Sequence, residues 1–155
     1  MDIVVNYDYG RSDVEPLPVA ELAQFVIAWE GKPEDTEVSV SFVDDQTIAQ
    51  LNEEYRGKTG PTDVLSFECD GFEDDFDAAV MPADVDAPFE LGDVVIAVDV
   101  AKRQTEEFGT TFREEIELLL VHGLLHLCGY DHMEEDEAQV MEGLEKKILE
   151  AWRSR

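Results

Sequence analysis

Apolar residues recur at two spacings along this chain, and the switches between them mark out its elements. Ile3 to Tyr9 alternate and predict a first strand. After the stiff segment Glu15-Pro16-Leu17-Pro18, residues Leu22, Phe25, Val26 and Trp29 take helical spacing, and Gly31 supplies a stop. Val38-Ser39-Val40-Ser41-Phe42 alternates cleanly, as a half-buried strand does. Ile48, Leu51 and Tyr55 then line a helix that Asp44 or Asp45 can cap and that Gly57 and Gly60-Pro61 break. Val64-Leu65-Ser66-Phe67 predicts a third strand. Val94 to Val98 is a continuous apolar run, the mark of a strand covered on both faces. Between these two strands, residues 69–90 hold eight acids and no base and predict a solvated loop.

The C-terminal half reads as helix. Asp99 is placed to cap a helix through about Phe108, with Gly109 ending it. Thr111-Phe112-Arg113-Glu114 is a capping box, and Glu114, Glu115 and Glu117 suit the positive end of the helix it starts. From Ile116 to Cys128 that helix is apolar nearly all round, which predicts burial. Asp131-His132-Met133-Glu134 reads as a second capping box, for a last helix with Met141, Leu144, Ile148 and Trp152 on its apolar face. The order is strand, helix, strand, helix, strand, strand, helix, helix, helix. It predicts an α/β (α+β) fold in one domain over residues 1–155, with four strands around a buried helix.

Composition sharpens this picture. At 155 residues and 44% hydrophobic content, the chain suits one globular core. It has no run long enough to span a membrane, and its start lacks the pattern of a secretory signal, so a cytoplasmic protein is expected. Two cysteines, Cys69 and Cys128, make no disulfide framework. The formal charge is −27, from 38 acids against 11 bases. Such a surface repels nucleic acid at long range.

The buried helix carries the chemistry. All three histidines of the chain lie in His122-Gly123-Leu124-Leu125-His126-Leu127-Cys128-Gly129-Tyr130-Asp131-His132. His122 and His126 share one helix face, and a left-handed Gly129 can end the helix and bring His132 back toward them. Three imidazoles around one point predict one catalytic Zn²⁺ per chain, with a fourth position for water. The spacing is that of the metzincin ligands, except that Gly123 stands where those enzymes carry the Glu that serves as general base. Three separately satisfied histidines, or a closed site with Cys128 as fourth ligand, are the plainer alternatives. Cys128 is two residues past His126 and points to another face.

Zinc held this way makes water available for attack near neutral pH, so the reaction class is metal-assisted hydrolysis. Asp131 is the nearest carboxylate, although a cap or a hydrogen bond to a ligand histidine accounts for it. Without a Glu at position 123 a peptidase is disfavoured. Substrate charge would instead be met by a cation, and Arg56 and Lys58 form a local basic spot, extended by Lys102 and Arg103.

Three blocks resemble the YbeY family of bacterial metal-dependent endoribonucleases. They are LNEEYRGKTGPTDVLSF from Leu51, LGDVVIA from Leu91 and HGLLHLCGYDH from His122. The resemblance implies zinc at His122, His126 and His132, with Arg56 and His122 in the reaction. It implies a zincin-like fold, with a small mixed sheet around the metal helix. It also implies single-stranded ribosomal RNA as substrate, in 3′-end maturation of 16S ribosomal RNA and in ribosome quality control, with the small subunit and its assembly factors as partners. The chain departs from the family pattern at Thr59, where an acid is usual, and at Glu68, where proline is common. A peptidase, and a ribosome-associated module with mainly structural zinc, are the competing classes. The acidic charge adds the expectation that cutting depends on presentation by a ribosomal particle.

Overall fold

A computed structural model describes residues 1–68, 90–130 and 134–155. Its elements are β1 (Asp2–Tyr7), α1 (Arg11–Val14), α2 (Val19–Trp29), β2 (Glu37–Val43), α3 (Asp45–Arg56), β3 (Val64–Glu68), β4 (Glu90–Ala97), α4 (Val98–Phe108), α5 (Phe112–Leu127) and α6 (Glu135–Ser154). The strands form one mixed sheet in the order β1-β2-β4-β3. β1, β2 and β4 run parallel, and β3 is antiparallel to β4 at one edge. The fold is therefore the mixed α/β arrangement the pattern predicts, with one extra turn of helix.

That turn, α1, escapes the periodicity because it is four residues long and buries only Val14. Other boundaries move for physical reasons. β1 stops at Tyr7, although the Tyr9 amide still donates to Phe42 of β2 at 3.0 Å, and the Tyr9 hydroxyl donates to Asp99 at 2.7 Å. Asp99 is thus not the cap of α4: the N-cap is Ala97, which has no side-chain cap bond. β4 begins at Glu90, inside the predicted acidic loop, whose residues 69–89 lie outside the described part. α6 begins at Glu135 with Glu134 as its N-cap, which makes no side-chain cap bond, and Asp131, His132 and Met133 of the expected capping box lie outside the described residues. Asp44 does cap α3 through the amide of Thr47, and Thr111 and Glu114 form the predicted box at α5.

Strand alternation divides the apolar residues between the two faces of the sheet. On one face Val38, Val40, Phe42, Val64, Val94 and Ile96 pack with α2, α5 and α6 in the main core. On the other face Leu65, Val95 and Ala97 meet Ile48 and Leu51 of α3 in a smaller cluster. β4 is buried from both sides, as its unbroken apolar run requires. α5 crosses the main face, and most of its residues are buried.

Two acids are buried with α5, and both have partners. Glu115 accepts from the Thr110 hydroxyl at 2.6 Å. Glu117 accepts from Trp152 Nε1 at 3.1 Å and from Arg153 at 3.0 Å. The second pair bolts the end of α6 to the start of α5, so an acid that looks like an interruption in the apolar run is an interhelix contact.

Candidate metal centre

His122 and His126 stand one turn apart on α5, and their Nε2 atoms are 3.1 Å from each other. The other nitrogen of each ring is engaged. Nδ1 of His126 lies 2.9 Å from the carbonyl oxygen of Tyr130, and Nδ1 of His122 lies 2.5 Å from Oε1 of Glu145. A carbonyl can only accept, and a carboxylate accepts, so each Nδ1 carries the proton. In the neutral rings each Nε2 then carries a lone pair, and the two atoms are close enough to share one cation. Two nitrogens at the usual Zn–N distance and a tetrahedral angle lie about 3.3 Å apart, close to the separation found here. The donor set therefore fits a divalent metal.

The carbonyl that orients His126 is delivered by the helix end. Gly129 has φ +105°, a conformation that favours glycine. Its amide donates to the carbonyl of His126 at 3.0 Å, and the amide of Tyr130 donates to that of Leu125 at 3.1 Å. These two bonds are a Schellman motif, which reverses the chain and points the Tyr130 carbonyl back at the ring. The predicted left-handed turn is present. His132 and Asp131, which that turn was expected to bring to the site, lie outside the described residues. Among the described residues no group of three potential ligands comes together.

Gly123 has a steric explanation. A Cβ placed there would lie 2.7 Å from Cγ1 of Val94 and 3.3 Å from both Ser66 Oγ and Val64 Cγ2. The face of α5 between the histidines rests directly on β3 and β4, and only a residue without a side chain allows that approach. A Glu could not stand there as a base without lifting the helix.

Cys128 is not drawn into the centre. It packs at the margin of the main core, with Lys32 and Glu30 as the charges that act on it. Burial pushes its thiol up to about 11.

Arg56 is the last residue of α3, on the sheet face opposite α5. It is exposed, and its guanidinium makes no hydrogen bond or ion pair among the described residues; the same holds for the ammonium of Lys58, whose backbone amide donates to the Asn52 carbonyl at 3.3 Å. The structure thus leaves both cations available but does not bring them against the histidines. Their loop is held in place, because buried Asn52 donates to the Gly60 carbonyl at 2.9 Å. Lys102 and Arg103 do not extend the basic spot as expected. They are paired with Asp13 at 2.7 Å and with Asp45 at 3.0 Å.

Comparison with known proteins decides the family. The family model described as endoribonuclease YbeY matches residues 11–153. The chain belongs to the YbeY endoribonuclease family. A curated YbeY endoribonuclease from Bacillus licheniformis is 45% identical over 131 residues, covering 84% of this chain and 81% of the relative. The one from Frankia alni is 41% identical over 153 residues, covering 98% of this chain and 83% of the relative. The solution structure of TM1509 from Thermotoga maritima superposes with a TM-score of 0.59 at 24% identity, covering 98% of this chain and 92% of that one, which shows a shared fold. No helix among the described residues of this YbeY family member is long and apolar enough to cross a membrane.

Two parts of the centre went unread in the sequence, Glu145 and the Tyr130 carbonyl. Glu145 had a visible signal. It is an acid set four residues after Met141 and three before Ile148, in the middle of an apolar stripe, and it is buried. The Tyr130 carbonyl had none, since any residue at that position would supply it.

Proposed function

We propose that this chain is a single-strand-specific, zinc-dependent endoribonuclease. On this reading it acts in the cytoplasm in 3′-end maturation of small-subunit ribosomal RNA and in ribosome quality control. The observation that carries the metal is the convergence of two Nε2 atoms whose rings are both fixed through Nδ1. His122 and His126 would hold the metal with His132, from the turn that Gly129 opens. When bound, a zinc ion supplies a water acidic enough to attack a phosphodiester at neutral pH. Membership of an endoribonuclease family supports RNA as the substrate.

The chain's own residues set the rest of the reaction. The Gly123 contact with Val94 keeps a helix carboxylate out of the centre, which favours hydrolysis of a charged ester over that of a peptide. Arg56 would grip a phosphate bidentately, and Lys58 would add a second positive charge beside it. Tyr55 lies next to Arg56 and is 62% exposed, with its ring edge-on to Phe67, 5.2 Å between centroids. It offers a face on which an unpaired base can stack. This face lies across edge strand β3 from the histidines. Ser66, the neighbour of Phe67, touches Gly123, the neighbour of His122. A single strand bent around that edge could meet both.

The test combines metal analysis with cleavage of a single-stranded RNA. The wild-type protein should hold one zinc per chain and lose cleavage with a chelator, and added zinc should restore it. His126→Ala should lose most of the metal, because three protein ligands leave no redundancy. Stoichiometric zinc in that variant would remove the assignment. RNA binding that persists with no cleavage at any metal loading would make the protein a binding module.

A further inference from the structure

We propose that Glu145 is the positioning residue of the metal centre, and that through it the C-terminal helix α6 is coupled to the metal. This rests on the metal reading above, and goes beyond it by giving α6 a part in the site.

Glu145 is an expensive residue where it stands. Its side chain is 10% exposed, on the face of α6 that also buries Met141, Ile148 and Trp152. A buried carboxylate is costly unless paired, and an apolar residue of similar volume would continue the stripe at lower cost. The docking of α6 does not need it either. Trp152 and Arg153 already fix that helix to α5 through Glu117, and Met141, Ile148 and Leu149 lie in the main core.

What the carboxylate does that an apolar residue could not is accept the Nδ1 proton of His122 at 2.5 Å. This holds the ring in the tautomer that leaves a lone pair on Nε2, 3.1 Å from Nε2 of His126. A negative partner on the far nitrogen also strengthens an imidazole as a metal ligand, and loss of such partners typically weakens metal binding 10–100-fold. The two histidines are therefore supported unequally. His126 leans on a neutral carbonyl and His122 on a carboxylate, so His122 is the more strongly polarised ligand. A metal that draws on the His122 lone pair tightens the Nδ1–H bond to Glu145, and so tightens α6 against α5.

The experiment uses the full chain, stripped of metal with a chelator and titrated with Zn²⁺ against a chromogenic competitor. The variants are E145Q, E145D and E145A. Nitrogen chemical shifts of the His122 ring are read in the metal-free protein at mildly alkaline pH. Amide hydrogen exchange of α6 is read with and without Zn²⁺. The wild-type ring should show the proton on Nδ1, and Zn²⁺ should slow exchange around Glu145. E145A should shift the ring toward the other tautomer, bind Zn²⁺ 10–100-fold more weakly and lose the effect on α6. E145Q, nearly isosteric and still an acceptor, should keep the tautomer but recover only part of the affinity. It also serves should E145A fold poorly. E145D should fall between the wild type and E145A.

A purely structural role predicts a lower unfolding midpoint in E145Q and E145A with Zn²⁺ affinity and ring tautomer unchanged, and that result would overturn the proposal. Wild-type protein that binds no Zn²⁺ at its histidines would overturn the metal reading and this proposal together. The two failures are distinct, because the second appears before any substitution is made.

Discussion

The hydroxyl of Ser66 donates to the carbonyl of Gly123 across 3.0 Å, tying edge strand β3 to the helix that carries the histidines. The bond lies beside the 2.7 Å approach that a Cβ on Gly123 would make to Val94. The position of the centre over the sheet is thus set by one missing side chain and one hydroxyl.

Gly123→Ala should therefore destabilise the protein by about 1–3 kcal/mol, the usual cost of overpacking, although alanine favours helix. Urea unfolding measures it. Val94→Ala in the same chain should recover part of the loss, and the coupling between the two sites should exceed 0.5 kcal/mol or so. Full additivity would mean that the helix shifts freely on the sheet.

Arg56→Ala should keep the fold and the zinc and lose RNA cleavage, because the guanidinium has no partner to abandon among the described residues. Arg56→Lys should recover little, since a point charge lacks the planar fork. Cleavage by the alanine variant at the wild-type rate would return Arg56 to an ordinary surface role.

Tyr55→Ala should raise KM for RNA several-fold while leaving zinc content alone, and Tyr55→Phe should behave as wild type, since stacking uses the ring and not the hydroxyl. An unchanged KM in the alanine variant would show that no base rests there.

Cys128 should be slow to alkylate near neutral pH. With its thiol pushed up to about 11 by burial, the reactive thiolate is scarce below that pH and grows only as alkali is approached. Site-resolved mass spectrometry over a pH series reads this directly. A rate at pH 7 equal to that of a free cysteine would place the sulfur in solvent.

Cleavage of free RNA should be slow and should first rise with added salt, because a chain of charge −27 repels a polyanion over a Debye length of about 8 Å at physiological salt. At higher salt the phosphate contacts weaken and the rate should fall. The same RNA within an immature small subunit should be cut faster. Equal rates, with salt only inhibitory, would remove the need for a presenting particle.

Much of this was legible in the residues because it depends on local spacing. Strand β2, the capping box at Thr111 and the shared face of His122 and His126 follow from periods of two and 3.6 and from chain-local bonds, and β4 from its unbroken apolar run. What could not be read depends on pairing across the sequence. The partners of Glu145 and Glu117 are 23 and 35 residues away, and one strand pattern does not say which helix will cover which face. Lys102 and Arg103 failed as a basic patch for the same reason, since their acids, Asp13 and Asp45, come from distant segments.

The unequal support of the two histidines has a genetic side. The group that steadies His122 is a side chain, and a single codon change erases it. The group that steadies His126 is a main-chain carbonyl, present whatever amino acid occupies position 130. The Tyr130 side chain packs at the margin of the core, but the carbonyl itself depends on the turn that aims it, and so on Gly129. This half of the centre can therefore be damaged from a position that carries no functional group at all.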